Sequence, residues 1–386
     1  MSPPLPLRDE LARLPDELRA RLGRSGFDPE RLARWAAEAG GDRDARDRLP
    51  AVEPLAPGDL ASLPAPGTAE YDALVAEGEG PLRRGEVALV VLAGGMATRM
   101  GGVVKALVPA LGERTFLDLR LEAQRALGAK YGAVPPLWLM TSEPTEGPIR
   151  EALGAALDDA AVATFPQSVS LRLTPEGGLF RDAAGAPSPY PTGHGDVPEA
   201  LRASGLLERF VARGGRYVWI ANLDNLGATV DPALLGWHLA SGTALTVEVA
   251  DRAGDKGGTP VRFRGKPVIC EDFRLPPGFD PMTVPVANTN NFLVDADALA
   301  TYNAPWTYVE VEKKVGDRVA VQRERLLGEM TFHLPTRFVR VPRSGAYARF
   351  LPVKDGDELA RRRPDIEAVT RRLGLDGGPK GAAPRR

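Results

Sequence analysis

The stretch EVALVVLAGGMATRMGGVVK, Glu86–Lys105, decides the fold. Val87 to Leu92 is an unbroken aliphatic run with the length of one buried strand, and it stops at Gly94-Gly95. Such a run predicts a central parallel strand whose C-terminal end opens into a glycine loop, the place where open α/β sheets bind ligands. Glycines at 94, 95, 101 and 102 leave backbone N–H groups uncovered, and Arg99 and Lys105 add positive charge, so the loop reads as anion-binding. It matches neither common phosphate fingerprint. Gly-x-Gly-x-x-Gly needs a residue between its first two glycines, and the P-loop needs Gly-Lys-Ser/Thr where this chain has Met100-Gly101-Gly102. A nicotinamide oxidoreductase therefore lacks its expected signature.

Downstream the pattern repeats as strand, loop and helix. Helical spacing covers Thr115–Tyr131, Glu146–Ala156 and Val197–Arg213, and strands are predicted at Leu137–Thr141, Val162–Phe165 and Arg216–Leu223. Leu171–Arg181 reads as a hairpin. This alternation predicts a doubly wound, mainly parallel sheet in an α/β fold. After Ala250 the period shifts to two, with strands at Thr259–Phe263, Lys266–Glu271, Asn291–Val294 and Tyr308–Glu312 expected to extend the sheet antiparallel, so the sheet is mixed. A helix Ala320–Met330, a strand Arg337–Val341 and a helix Asp357–Leu373 follow. Upstream, residues 1–80 carry helical spacing in Leu7–Leu22, Phe27–Ala39 and Glu70–Glu77, broken by proline-rich connectors, and no evident chemistry.

Composition bounds the partners. At 386 residues the chain can hold one large α/β domain with appendages. A net charge of −2 gives no reason to expect nucleic acid or an anionic membrane. The single Cys270 excludes an internal disulfide and a cysteine metal cluster, and no apolar run nears the roughly 20 residues that span a bilayer. The N-terminus MSPPLPLRDELARL has no apolar export core. The expectation is a cytoplasmic protein with local phosphate affinity. Only eight of its 49 basic residues are lysines, and several lie at glycine-flanked or loop positions. There a compact ammonium serves better than a planar fork.

Four further stretches crowd glycine, amide or carboxylate where strands are predicted to end. Gln167 follows Thr164-Phe165-Pro166, and its amide can pair with a base edge. Tyr190-Pro-Thr-Gly193-His194-Gly-Asp196 sets a histidine between two glycines ahead of a helix; His238 and His333 fall in helix patterns and read as structural. Trp219-Ile-Ala-Asn222-Leu-Asp224 ends a buried strand with an amide and a carboxylate alternating onto one side. A lone carboxylate beside phosphates is the usual way to hold magnesium. Lys256-Gly-Gly and Asn288-Thr-Asn290-Asn291 supply groups suited to a hydroxyl-rich ligand, and Arg349-Phe-Leu-Pro-Val-Lys354 ends in a lysine.

Taken in order, these motifs resemble the UTP–glucose-1-phosphate uridylyltransferase family, the UDP-sugar pyrophosphorylases, from about Leu92 to Lys354. The resemblance implies a nucleotide-diphospho-sugar transferase-like, Rossmann-like catalytic domain over 81–355, a helical N-terminal extension over 1–80, and a short C-terminal helix and flexible tail over 356–386. It implies that Leu92, Ala93, Gly94 and Gly95 line uracil and ribose, that Gln167 reads the base, and that Lys105 neutralises the triphosphate. Gly193 and Asn222 contact the nucleotide, His194, Lys256, Asn290 and Asn291 the sugar phosphate. Asp224 holds Mg2+, and Lys105, Asp224 and Lys354 are catalytic. The implied substrates and products are UTP, glucose 1-phosphate, UDP-glucose and pyrophosphate, with a monomer or weak homo-oligomer expected.

There are departures. Ala93-Gly-Gly-Met-Ala97-Thr98 stands where eukaryotic members have Asn-Gly-Gly-Leu-Gly-Thr, and this opening is nearer to the UDP-N-acetylhexosamine pyrophosphorylases. Val104-Lys105 replaces a Pro-Lys pair, and the chain is short at its C-terminus for the β-helix domain of many relatives. An N-acetylhexosamine or broad UDP-sugar pyrophosphorylase is thus the rival enzyme. A non-catalytic sugar-nucleotide sensor should have lost its charged residues, and Lys105, Asp224 and Lys354 are all present.

Overall fold

A computed structural model describes residues 7–255 and 257–375. Lys256 and the predicted tail beyond 375 lie outside the described residues.

Among these residues one sheet holds eight strands: β1 (Leu60–Ser62), β2 (Val87–Leu92), β3 (Leu137–Thr141), β4 (Val162–Pro166), β5 (Tyr217–Asn222), β6 (Leu245–Asp251), β7 (Val286–Asp295) and β8 (Thr336–Arg340). Their spatial order is β1-β8-β6-β7-β5-β2-β3-β4, with β7 alone antiparallel to its neighbours. The first predicted strand is therefore central, Val87–Leu92 pairing with β5 on one side and β3 on the other.

The side chains of β2 show why. Val87, Leu89 and Val91 enter one apolar cluster with Phe116, Trp219 and Leu234, while Ala88 and Val90 enter another with Trp138, Ile220 and Phe292. A strand whose two faces are both buried needs an all-apolar run. Helices Ala69–Arg83, Phe116–Tyr131, Pro232–Ser241 and Gly356–Arg372 cover the first face, and Val197–Ala203, Leu206–Ala212 and Ala296–Thr301 cover the second. On the first face two helices touch backbone to backbone. A Cβ on Gly78 would lie 1.9 Å from the Pro232 carbonyl, and one on Gly236 would lie 2.0 Å from that of Leu74. Any larger residue would push the helices apart.

Several expectations are corrected. The predicted helix Val197–Arg213 is two helices, broken at Gly205, whose φ of 69° is left-handed. The predicted helix Ala320–Met330 is a strand, Arg318–Glu324, hairpinned with Val309–Val315 and followed by a 3-10 turn, Leu327–Phe332. Cross-strand pairing overrode local spacing there. Of the antiparallel extension only β7 joins the sheet, because Thr259–Phe263 and Lys266–Cys270 pair with each other. The N-terminal stretch is tied into the main sheet: β1 runs parallel to β8.

Candidate active site

The carboxyl ends of β2, β3, β4 and β5 open onto a cleft of about 330 Å³ lined by Leu92, Gly94, Gly95, Lys105, Met140, Gln167, His194, Asn222, Leu223 and Asp224. Beyond Leu92 the backbone still pairs, Ala93 N–H donating to the Met140 carbonyl at 2.8 Å. Gly94 follows with its carbonyl held by the Ser142 hydroxyl at 2.8 Å. A Cβ on Gly94 would stand 3.1 Å from Gln167 Nε2, so glycine lets that amide close over the loop. Gln167 is itself fixed by its N–H on the Thr141 carbonyl at 2.9 Å and is 7% exposed. Gly95 faces open space.

Gly101 and Gly102 have a conformational task as well. With φ of 90° and 73° they turn a small hairpin in which Met96 pairs with Val104. The hairpin returns Lys105 to the loop, its N–H donating to the Gly95 carbonyl at 3.2 Å. The Lys105 ammonium then meets the Asp224 carboxylate in an ion pair, each side chain 18% exposed.

β5 supplies the opposite wall. Asn222 ends the strand and Asp224 sits two residues on, in the turn. The turn is held from beneath by Arg120, 2% exposed, which donates to the carbonyls of Asn222 (2.8 Å), Asn225 (2.7 Å) and Leu223 (3.3 Å), and to Ala228. Burial pulls this guanidinium down to about 10, partly offset by the Asp224 charge. Sequence reasoning missed Arg120, although a signal existed: Phe116, Arg120 and Gln124 share one buried helical stripe at four-residue spacing.

The Asn222 carbonyl oxygen Oδ1 accepts from Asn290 Nδ2 at 2.9 Å. Asn290 reaches it because β7 bulges against β6: Glu248 faces Asn291 and Val249 faces Asn288, leaving two residues out of register. Asn290 has φ 59°, a left-handed conformation that asparagine tolerates. Asn291 is corrected by the same geometry. It is fully buried, its Nδ2 donating to the Arg349 carbonyl at 3.4 Å, and it does not line the cleft.

His194 stands at the cleft with its Nδ1 accepting from Leu327 N–H at 3.0 Å. That bond leaves the proton on Nε2. Burial holds the imidazole down at about 4, so it is neutral at physiological pH. Its flanking glycines are required by neighbouring backbone: a Cβ on Gly193 would lie 2.5 Å from the Arg325 carbonyl oxygen, and one on Gly195 would lie 2.7 Å from the carbonyl carbon of Arg325. His238 is structural as expected, bonded to Thr246 (2.7 Å) and Asp295 (3.1 Å).

Lys354 is not brought to this cleft. It follows an irregular segment, not a strand, is 51% exposed, and pairs with Asp255 at 3.6 Å beyond the end of β6. Its segment is nevertheless tied under the β5 turn. Asn225 donates to the Arg349 carbonyl at 3.0 Å and accepts from Leu351 N–H at 2.7 Å, and Arg349 makes a buried two-pronged pair with Glu248. Glu271 lies outside the cleft lining, beside Gly258. A Cβ on Gly258 would lie 2.9 Å from Glu271 Oε1, and Asn288 N–H donates to the Gly258 carbonyl at 2.9 Å, so this carboxyl sits on the Asn288–Asn290 side. Burial, Asp272 and Glu329 push it up to about 7.

A family model described as UTP–glucose-1-phosphate uridylyltransferase matches residues 55–370. The chain belongs to that family. Among curated relatives, UTP–glucose-1-phosphate uridylyltransferase of Solanum tuberosum is 33% identical over 326 residues, covering 78% of this chain and 66% of the relative. That of Encephalitozoon cuniculi is 30% identical over 291 residues, 71% of this chain and 57% of the relative. The chain thus spans about three fifths of the length of these uridylyltransferase relatives.

Solved structures agree on the fold. UDP-glucose phosphorylase from Trypanosoma brucei superimposes with TM-score 0.72 at 23% identity, covering 88% of this chain and 76% of that one. The uridine diphosphate N-acetylglucosamine pyrophosphorylase of the same organism gives 0.72 at 20% identity over 92% and 81%. The fold likeness therefore does not separate the two sugar classes within the uridylyltransferase architecture.

Proposed function

We propose that this chain makes UDP-glucose and pyrophosphate from UTP and glucose 1-phosphate. The observation that carries the reading is the meeting of Lys105 and Asp224, from loops 119 residues apart in sequence, in a cleft that Gln167 and His194 also line. Leu92, Gly94, Met140 and Gln167 suit a flat base, the Gln167 amide offering both a donor and an acceptor to its edge. Gly95 leaves backbone open beside Lys105, where the phosphates of UTP would lie.

The proposed step is in-line attack of a glucose 1-phosphate oxygen on the α-phosphorus of UTP, with pyrophosphate leaving. The attacking oxygen is already ionised, so no general base is needed. What the protein supplies is position and charge. Lys105 moves from Asp224 to the phosphates, the His194 Nε2–H donates to the sugar phosphate, and Asn290, Glu271 and Lys256 serve the sugar side. Lys354, outside the cleft, would have to leave Asp255 to add its ammonium from the β6 side.

Mg2+ fits the donor set. Among the described residues no three metal-binding side chains cluster, so no all-protein cage exists. Asp224 is a single carboxylate facing the cleft, the arrangement in which magnesium shares its coordination with substrate phosphates and water. When bound there it would neutralise charge on the phosphoryl oxygens. Replacing Asp224 by Ala should abolish activity together with metal dependence, and a pyrophosphate-release assay over a range of magnesium concentrations tests it.

A second reading is favoured by one observation, the Ala93-Gly-Gly-Met-Ala97 loop opening: the sugar is an N-acetylhexosamine. Comparing kcat/KM over a panel of sugar 1-phosphates decides between them, and a preference for the acetamido sugar would overturn the glucose assignment. We place the catalytic unit at residues 81–355, completed by strand β1 and the helices Ala69–Arg83 and Gly356–Arg372 that pack on its sheet, and the protein in the cytoplasm. Among the described residues no helix is long and apolar enough to cross a membrane.

A further inference from the structure

The chain leaving the hairpin Val309–Val315/Arg318–Glu324 is bonded along its length to the histidine loop. Arg323 N–H donates to the Tyr190 hydroxyl at 2.8 Å, which in turn donates to the Arg323 carbonyl at 3.0 Å. Arg325 N–H donates to the Thr192 carbonyl at 2.8 Å, and Gly195 N–H to the Arg325 carbonyl at 3.0 Å. The last bond of the series is Leu327 N–H to His194 Nδ1, the one that fixes the imidazole proton on Nε2. With Gly193 and Gly195 already against this backbone, the two chains cannot slide without moving the ring.

The Arg325 side chain locks the contact from within. Its guanidinium, 1% exposed, pairs with the fully buried Asp196 and with Glu199 at 2.7 Å. Asp196 also accepts from the Thr192 hydroxyl at 2.7 Å and from Ser168 N–H at 2.9 Å. A planar fork can hold two carboxylates at once where an ammonium holds one.

On its outer side the hairpin is gripped by the N-terminal helices. The Trp35 ring, in the helix Pro29–Ala37, lies 4.7 Å from that of Tyr308, and Arg323 stacks over Trp35 at 5.8 Å while pairing with Glu38. Arg31 bonds the Tyr308 hydroxyl, Arg46 pairs with Glu310 at 3.1 Å, and the Tyr308 ring faces the Arg325 guanidinium at 5.4 Å. The helices thus touch the residues that carry Arg325 and Leu327.

We infer that Arg325 and the helix Pro29–Ala37 are positioning elements for His194, setting its tautomer and through it the grip on the sugar phosphate. The inference rests on the reading of His194 as a sugar-phosphate contact. It gives the N-terminal extension a part in the reaction beyond covering a face of the domain.

The chain has only three histidines, so imidazole 15N–1H correlation spectra can follow each one. Wild-type His194 should show the Nε2–H tautomer and stay neutral down to about pH 5, since an unperturbed histidine titrates near 6.5. In Trp35→Ala and in Arg325→Lys its signals should shift to a mixture of tautomers that titrates near 6.5. His238 and His333 should be unmoved, the KM for glucose 1-phosphate should rise about tenfold, and the KM for UTP should hold. If Arg325→Lys does not fold, Trp35→Ala, which alters a satellite cluster outside the two main cores, carries the test. Unchanged His194 signals in folded Trp35→Ala overturn the inference, as does an unchanged KM for glucose 1-phosphate despite altered signals. His194→Ala separates the two failures: a normal KM there faults the sugar-phosphate reading itself, and a raised KM faults the positioning alone.

Discussion

Lys105 and Asp224 meet inside the cleft with each side chain 18% exposed, whereas Lys354 and Asp255 meet 3.6 Å apart beyond β6 with the lysine 51% exposed. The chemistry of the two pairs is the same and their settings are opposite. In the enclosed pair the ammonium and carboxylate are poorly screened, so each is the other's main partner until substrate arrives. Binding there is an exchange of partners. The exposed pair is worth about 0–1 kcal/mol, so Lys354 can leave Asp255 for a phosphate at almost no cost. The difference teaches that a family motif locates a charge near the right edge of the sheet, while burial decides whether it is already committed.

The largest effect should come from the committed carboxylate. Asp224→Asn should lower kcat by about 10³ or more, as removal of a charge that acts on the transferring phosphoryl group, with a melting temperature close to wild type. Lys105→Ala should follow at about 10²–10³ and Lys354→Ala at about 10², both in a pyrophosphate-release assay. A Lys354→Ala enzyme with near-normal turnover would confine the chemistry to the enclosed pair. Asn290→Ala should raise the KM for glucose 1-phosphate by roughly two- to tenfold, the worth of one neutral hydrogen bond, and leave the KM for UTP alone. An equal rise for both substrates would mean that the bulge at β7 serves the nucleotide.

The smallest expected effect is on stability, and its sign separates two buried titrating groups, Glu271 and His194. Glu271, raised to about 7 from an ordinary 4.5, contributes stability that is present below 4.5 and lost as pH rises through 7. His194, held at about 4, works the other way, its contribution being lost as pH falls from 6.5 toward 4. Glu271→Gln should therefore gain about 1–2 kcal/mol over wild type at pH 8 relative to pH 5, read from denaturant midpoints. A variant whose difference from wild type does not change with pH would remove Glu271 from this account.

Much of the sheet was legible because its signal is local. Val87–Leu92 and Leu137–Thr141 appear with the predicted bounds, since a strand buried on both faces must be continuously apolar. Asp224 and Asn222 were legible as polar residues closing such a strand. What was not legible depends on partners far along the chain. Nothing in Ala320–Met330 announces that Arg318–Glu324 pairs with Val309–Val315. Asn290 and Asn291 are adjacent and chemically identical, and only the bulge opposite Glu248 sends one to the Asn222 side chain at the cleft wall and the other under Arg349. The glycines flanking His194 were legible as a pair, but the reason for them was not, since they answer to the Arg325 backbone far along the chain.

The central claim is that Asp224 holds the metal and, without it, ties up the lysine meant for the triphosphate. Calorimetric titration of UTP, with magnesium and then with EDTA, into wild type and Asp224→Asn tests this directly. Wild type should bind UTP more tightly with magnesium, while Asp224→Asn should lose that gain and bind metal-free UTP more tightly than wild type does, because Lys105 is released and a repelling charge is gone. An Asp224→Asn protein that keeps the full magnesium gain would contradict the account.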